Sequence, residues 1–442
     1  MNFKKSFLFV LILFPAIIIF YSCNTNNSAE KSKNDSTVTV SKIKEISVHH
    51  YSTEFKTNEI IRNIKCLNDS SKSYSLFLPA DYDTSKSFPV LLFFDAHARG
   101  SLPLKKYISL AQKYHFVFVG SNDSQNGMQI SETQNIASTI LKDVTERFNI
   151  NEKLIFASGF SGGSKVACNF GFNNTLVRGV IACAAPFTEQ LSAVMNAPDI
   201  FLLSGNEDFN LNGMVQADNA LHESHFNHQL FVFDGKHDWA DLKSFDIAMQ
   251  WMQQKAMKEN LMSNKYLPEK FSDYNSWKQT DVTNENILTQ EMNAEQELGK
   301  QFTTAGISYW NEKISALQKS KTSKQNFALK KLCARELNYI SMMGFAYSES
   351  ALNQNNLQAA QQFLQIYELA DPKNPDVYFL EAIYFSKSND FKSAIALLKK
   401  SAQLGYADYN KLMNEKSFSS IASTPKFEQQ VAMKVSQNSE KE

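Results

Sequence analysis

Continuous apolar runs separated by amphipathic stretches set the rhythm of the middle of the chain. Pro89–Phe94 (PVLLFF), Phe116–Gly120 (FVFVG), Leu154–Ala157 (LIFA), Val177–Ala182 (VRGVIA), Ile200–Leu203 (IFLL) and Leu230–Phe233 (LFVF) show almost no polar alternation. That is the pattern of strands buried on both faces. Helical spacing fills the gaps around 104–113, 132–148, 163–171 and 212–224, and a further helical stretch spans Ala240–Met257. Alternating strands and helices predict βαβ units, a parallel sheet and the α/β class. Shorter β-like runs precede it at Ile43–His50, Ile60–Leu67 and Tyr74–Leu78. From about residue 300 no strand pattern returns, so an all-α region is predicted there.

That region carries an internal repeat. Asn355 and Asn389, Leu357 and Phe391, Ala360 and Ala394, and Leu364 and Leu398 each lie 34 residues apart. A 34-residue helix-turn-helix period, with alanines where two helices approach closely, resembles the tetratricopeptide repeat. The resemblance covers about 336–415 and implies a concave protein-binding surface. A helix pair at about 300–335 would cap the stack.

Composition narrows the function classes. The 442 residues hold 45 basic and 45 acidic side chains, so binding to nucleic acid through a strongly basic chain is excluded. A mean hydropathy of −0.33 excludes a polytopic membrane protein. Lys4 and Lys5 precede an apolar run, Phe7 to Phe20, which is short for a spanning helix and fits the core of a secretory signal. Ser22-Cys23 followed by NTNNSAEKSKNDST resembles the lipobox and tether of bacterial lipoproteins, although Phe20 and Tyr21 are bulkier than that pattern prefers. The resemblance implies lipidation at Cys23, export, and a lipid anchor in a bacterial cell envelope, periplasmic or surface-facing. Plain secretion and an uncleaved anchor are the alternatives to a lipoprotein. Cys66, Cys168, Cys183 and Cys333 show no CxxC or metal spacing and read as buried free thiols. The resulting boundaries are a signal over 1–22, a flexible tether over 23–42, an α/β domain over 43–258, a linker or peripheral helix over 259–299, a helical domain over 300–430 and a disordered tail over 431–442.

The chemistry centres on Gly159-Phe160-Ser161-Gly162-Gly163, a G-x-S-x-G between a predicted strand and a predicted helix. That context is the one a nucleophile elbow requires. Glycines flank the serine because a Cβ would strike the adjoining strand and helix. The Gly162 N–H falls at a helix N-terminus, where it can stabilise an oxyanion. Downstream, the Ile200–Leu203 strand runs into Ser204-Gly205-Asn206-Glu207-Asp208, and the Leu230–Phe233 strand into Asp234-Gly235-Lys236-His237-Asp238-Trp239. Serine, then acid, then histidine is the hydrolase chain order.

With GFSGGS at 159–164, GNEDFN at 205–210 and GKHDW at 235–239, residues 60–258 resemble the α/β-hydrolase fold. Within it they are similar to the dienelactone hydrolase, polyhydroxybutyrate depolymerase and feruloyl esterase branch. The resemblance implies Ser161 as nucleophile, His237 as general base and Asp208 as the acid that orients it, with no cofactor. It also implies a second oxyanion donor from the loop Asp95-Ala96-His97-Ala98-Arg99-Gly100, where the backbone N–H of Arg99 or Ala98 is the candidate and Ala98 stands where glycine is usual.

Five residues are candidate substrate contacts: Asn122 and Asn126 on the loop after the Phe116–Gly120 strand, and Phe160, Phe209 and Trp239 beside the three triad positions. For the three aromatics, packing of the site walls is the safer reading and an acyl pocket the alternative. His222, His225 and His228 (HESHFNH) lack the H-E-x-x-H spacing, and no metal site is expected. These features predict a carboxylic ester hydrolase acting through an acyl-enzyme on an extracytoplasmic ester such as an acylated glycan. A non-catalytic scaffold using the helical repeats and a serine peptidase on the same fold remain the alternatives.

Overall fold

The computed structural model describes residues 51–262, 284–322 and 326–441. The signal and tether over 1–42, Cys23 and the Ile43–His50 run lie outside the described residues.

Eight strands form one sheet: β1 (Ile60–Lys65), β2 (Ser73–Phe77), β3 (Phe88–Phe94), β4 (Val117–Ser121), β5 (Ile150–Phe160), β6 (Val177–Cys183), β7 (Asp199–Gly205) and β8 (His228–Phe233). Their spatial order is β1-β2-β4-β3-β5-β6-β7-β8. β2 pairs antiparallel with β1 and β4, and every other pair is parallel. The crossovers run through α1 (Ser101–Tyr114), α2 (Ile130–Arg147), α3 (Gly162–Asn173) and α4 (Leu211–Glu223), and α5 (Leu242–Lys258) closes the unit.

Period-2 geometry explains why the strand runs are apolar throughout. All seven residues of β3 are buried, but they serve two cores. Val90, Leu92 and Phe94 face α2, α3 and α4 through Ile140, Ala167 and Met214. Leu91 and Phe93 face α1 and α5 through Leu104, Tyr107, Phe245 and Met249.

The all-α region contains α6 (Glu285–Phe302), α7 (Ile307–Thr322), α8 (Phe327–Asn353), α9 (Leu357–Ala370), α10 (Pro375–Lys387), α11 (Phe391–Gln403) and α12 (Tyr409–Asn414), with its own core around Trp310, Ile340, Tyr367 and Phe379. The 34-residue period recurs in its turns. Asn355 (φ 56°) and Asn389 (φ 63°) both adopt the left-handed conformation after a helix. The next residue's N–H reaches back to Ala351 O (2.8 Å) in one turn and Phe385 O (2.9 Å) in the other. The Asn356 and Asp390 side chains then cap α9 and α11.

One boundary shifts and one expectation needs correction. The described part of 259–299 contains a helix, α6, in line with the peripheral-helix reading; its Leu298 and Phe302 belong to the helical core, so that layer begins near residue 285 rather than 300. The 431–442 segment is not a disordered tail over its described part. Met433–Lys441 is helical, because Val431, Ala432 and Val435 supply an apolar face that is buried. Among the described residues, no helix is long and apolar enough to cross a membrane.

Candidate active site

The site forms where β5, β7 and β8 end. β5 turns into α3 through Ser161, whose backbone is held at φ 54°, ψ −120°. Close approach of the chain enforces this conformation. A Cβ on Gly159 would stand 1.9 Å from Gly163 O, and one on Gly163 would stand 1.9 Å from Phe94 O. Ser161 N–H donates to Cys183 O (2.9 Å), tying the elbow to β6. An L-residue at this backbone position is strained, and the strain lifts the hydroxyl above the sheet edge.

The hydroxyl meets a histidine there. His237, on the loop after β8, has Nε2 3.0 Å from Ser161 Oγ and Nδ1 2.9 Å from Asp208 Oδ1. A carboxylate only accepts, so Nδ1 carries the proton and Nε2 accepts from the serine. Asp208 is fully buried, three residues beyond β7, and the same Oδ1 accepts from Asn210 N–H (2.8 Å). Phe160 and Phe209 flank the imidazole at ring-centroid distances of 4.9 and 4.3 Å. Phe160 is buried and packs the wall, whereas Phe209 is only half-buried and can meet a ligand.

The loop after β3 is organised by Asp95, a residue to which sequence reasoning gave no role. Its carboxylate is fully buried and accepts from His97 N–H (2.9 Å), Arg99 Nε (2.9 Å), Arg99 Nη2 (3.3 Å) and the Trp239 indole (2.9 Å). Burial pushes its pKa up, but Arg99 and these hydrogen bonds outweigh burial and hold it below the usual carboxylate range. Trp239 thus has the surroundings of a packed site wall. It is 2% exposed and ties the histidine loop to the β3 loop. Ala98 adopts φ 58°, the left-handed region that glycine favours, and its N–H is turned back to Asp95 O (3.3 Å). The Arg99 guanidinium is clamped on Asp95. Gly162 N–H lies in the first turn of α3, where no helical carbonyl stands four residues back.

The two asparagines separate. Asn126 lies against the elbow, since a Cβ on Gly162 would stand 1.7 Å from its Oδ1. Beside it is a cavity of about 180 Å³ lined by Met128, Ile130, Gly162 and Val166. Asn122 instead accepts from Ser75 Oγ (3.0 Å) and faces a polar cavity of about 510 Å³. His97, Arg99 and Arg62 line that cavity from the sheet side, and Asp408 and Tyr409 from the helical region.

His222 and His225 are exposed, and His228 Nδ1 lies 2.9 Å from Phe226 O. Among the described residues, no group of three or more His, Cys, Asp or Glu side chains could hold a metal ion. The four described cysteines are free and buried, and burial pushes the Cys66 and Cys183 thiols up to about 12.

The strand order, the elbow after β5, the acid after β7 and the histidine after β8 together make the sheet an α/β-hydrolase fold, followed by an all-helical region. No protein-family model matches the chain, and no curated protein is similar to it at a significant level. Among solved structures the chain is similar to esterase PE8, with 12% identity over 43% of this chain and 100% of that one, at a TM-score of 0.36. It is also similar to an S-formylglutathione hydrolase of Staphylococcus aureus (14%, 45% and 98%, 0.35). A third is the feruloyl esterase module of Clostridium thermocellum (12%, 42% and 84%, 0.36).

Proposed function

We propose that the chain is a serine hydrolase that cleaves carboxylic esters through an acyl-enzyme. The observation that carries this reading is the hydrogen-bonded line Ser161–His237–Asp208 on a strained elbow. In this mechanism His237 Nε2 takes the Ser161 proton as Oγ attacks the ester carbonyl. The oxyanion of the tetrahedral intermediate accepts from Gly162 N–H, and the imidazolium is stabilised by Asp208. His237 then protonates the leaving alkoxide and the alcohol departs. A water, deprotonated by the same imidazole, attacks the acyl-enzyme and releases the acid with Ser161 restored.

The substrate is proposed to be an acylated glycan outside the cytoplasm. This reading rests on the resemblance of GFSGGS, GNEDFN and GKHDW to the feruloyl esterase branch; the 510 Å³ polar cavity has none of Ser161, Asp208 or His237 in its lining and is not its support. Cys23 is proposed as the lipidated residue, which incorporation of labelled palmitate, lost in Cys23→Ala, would test. The helical repeats are proposed to offer a protein-binding surface.

The test of the catalytic reading is labelling by a fluorophosphonate probe. Wild type should label, and Ser161→Ala and His237→Ala should not. An ester and peptide panel then separates esterase from peptidase. A folded wild type that stays unlabelled refutes the proposal.

A further inference from the structure

The segment that delivers Asp208 is anchored from two sides. Its N–H groups are held by the sheet: Asn206 N–H donates to Phe233 O (2.8 Å) and Glu207 N–H to Gly235 O (2.8 Å). Its carbonyls are held by α8, more than 120 residues further along the chain. Arg335 Nη1 donates to Asn206 O (2.9 Å) and Asn338 Nδ2 donates to Glu207 O (2.7 Å). One turn earlier on the same helix face, Lys331 Nζ bridges Glu207 Oε1 (2.8 Å) and Asp234 Oδ1 (2.9 Å), so the loop leading to His237 is tied to the same helix. Positions 331, 335 and 338 follow helical spacing and present one face.

Arg335 is itself immobilised. Its Nε and Nη2 form a bidentate pair with Glu291 of α6 at 2.7 and 2.8 Å, and the two side chains are 0% and 1% exposed. A buried ion pair is poor evidence of stability, because desolvation offsets the attraction. It does fix direction: with two donors held by Glu291, the planar fork aims the third at the Asn206 carbonyl.

We propose that the helical layer completes the catalytic site, with Arg335 and Asn338 acting as positioning residues that fix the approach of Asp208 to His237. This rests on the triad reading above. Without them the segment keeps its N–H anchors but loses its carbonyl anchors. The short Asp208–His237 contact then becomes one of several geometries, and misplacement on the ångström scale costs rate rather than ground-state binding.

The experiment uses the full chain. Asn338→Leu removes one donor at a half-buried position. Arg335→Lys cannot serve Glu291 and Asn206 together. Arg335→Met combined with Glu291→Leu removes both charges, so no buried ion is stranded. Asp390→Ala is the control, since it removes the α11 N-cap and weakens the helical layer far from residues 206–208.

Each α8 variant should lower kcat on an activated ester tenfold or more, with KM within threefold of wild type. The downfield proton resonance of His237 Nδ1–H should move or broaden. Asp390→Ala should change neither. Should the arginine variants fail to fold, Asn338→Leu alone carries the test. The proposal is overturned if wild type labels with fluorophosphonate and turns over ester, yet the folded variants keep kcat within twofold and an unchanged resonance. Absence of labelling in wild type would instead refute the triad reading, and this proposal with it.

Discussion

Asp95→Asn probes the joint between the oxyanion-side loop and the histidine loop. The substitution is nearly isosteric, so its effect comes from hydrogen bonding. The carboxylate accepts four contacts from three residues, and an amide keeps only one acceptor oxygen. If that oxygen takes the Oδ1 site, the new NH₂ faces the Trp239 indole N–H and Arg99 Nη2, donor against donor. Arg99 is 36% exposed and rehydrates, so its loss is small. The Trp239 indole is buried and cannot rehydrate. An orphaned buried donor costs about 1–3 kcal/mol, and weakening of the remaining charge-assisted bonds adds about 1 kcal/mol. Asp95→Asn should therefore destabilise the protein by about 2–4 kcal/mol in urea at unchanged m-value. Trp239→Phe should couple to it by about 1–2 kcal/mol in a double-mutant cycle, because both remove the same contact. The sign with pH follows from the depressed carboxyl. Its stabilisation is complete above the ordinary carboxylate range and is lost as pH falls through the lowered value. A loss below about 1 kcal/mol, or coupling indistinguishable from zero, would refute the view that Asp95 joins the two loops.

Three further outcomes follow from the geometry. Gly163→Ala should destabilise by more than about 3 kcal/mol or prevent folding, since its Cβ would overlap the Phe94 carbonyl, and soluble expression reads this directly. Ser161→Gly should be more stable to urea than Ser161→Ala by about 1–2 kcal/mol, because only glycine relieves the backbone at φ 54°; equal midpoints would show that the elbow stores no strain. Glu295 and Glu381 of the helical layer are raised to about 7, first by burial and then by Glu291 and Glu368 respectively. A carboxyl whose folded value is raised loses stabilisation as pH climbs from its unfolded value through the folded one. Unscreened, each group would remove about 2.5 kcal/mol between pH 5 and pH 8; both are partly exposed, so screening lowers the sum and urea stability should fall by about 3 kcal/mol. Glu295→Gln with Glu381→Gln should flatten that slope, and a profile that rises over this range would contradict the assignment.

The sheet was legible because its strands are buried on both faces, and such strands read as unbroken apolar runs whatever their neighbours. The elbow was legible because steric crowding at Gly159 and Gly163 restricts residue type at fixed spacing. The two readings of Trp239, wall packing and substrate contact, could not be separated in the sequence, because adjacency to His237 along the chain says nothing about which side the ring turns to. The indole N–H donates to Asp95, 144 residues earlier. Ala98 was misplaced as an oxyanion donor for a related reason: a one-residue left-handed turn sends its N–H back to the Asp95 carbonyl.

The helical layer was harder to bound, and the reason bears on how the site is built. On α6 the inward face runs Leu288, Glu291, Glu295, Leu298 and Phe302, so two of five positions on an otherwise apolar stripe are acidic. Periodicity therefore dilutes to that of a solvated linker, although Glu291 is buried. On α8, Arg335 looks like an ordinary surface charge until Glu291 and the Asn206 carbonyl are placed around it. One of the polar residues that blurred the domain boundary, Glu291, takes part through Arg335 in joining the helical layer to the segment carrying Asp208. A sequence pattern registers burial against apolar neighbours of the same element. It does not register burial against a carbonyl contributed by another layer, and a fixed contact between two layers needs groups of that kind, because apolar contact alone does not set direction.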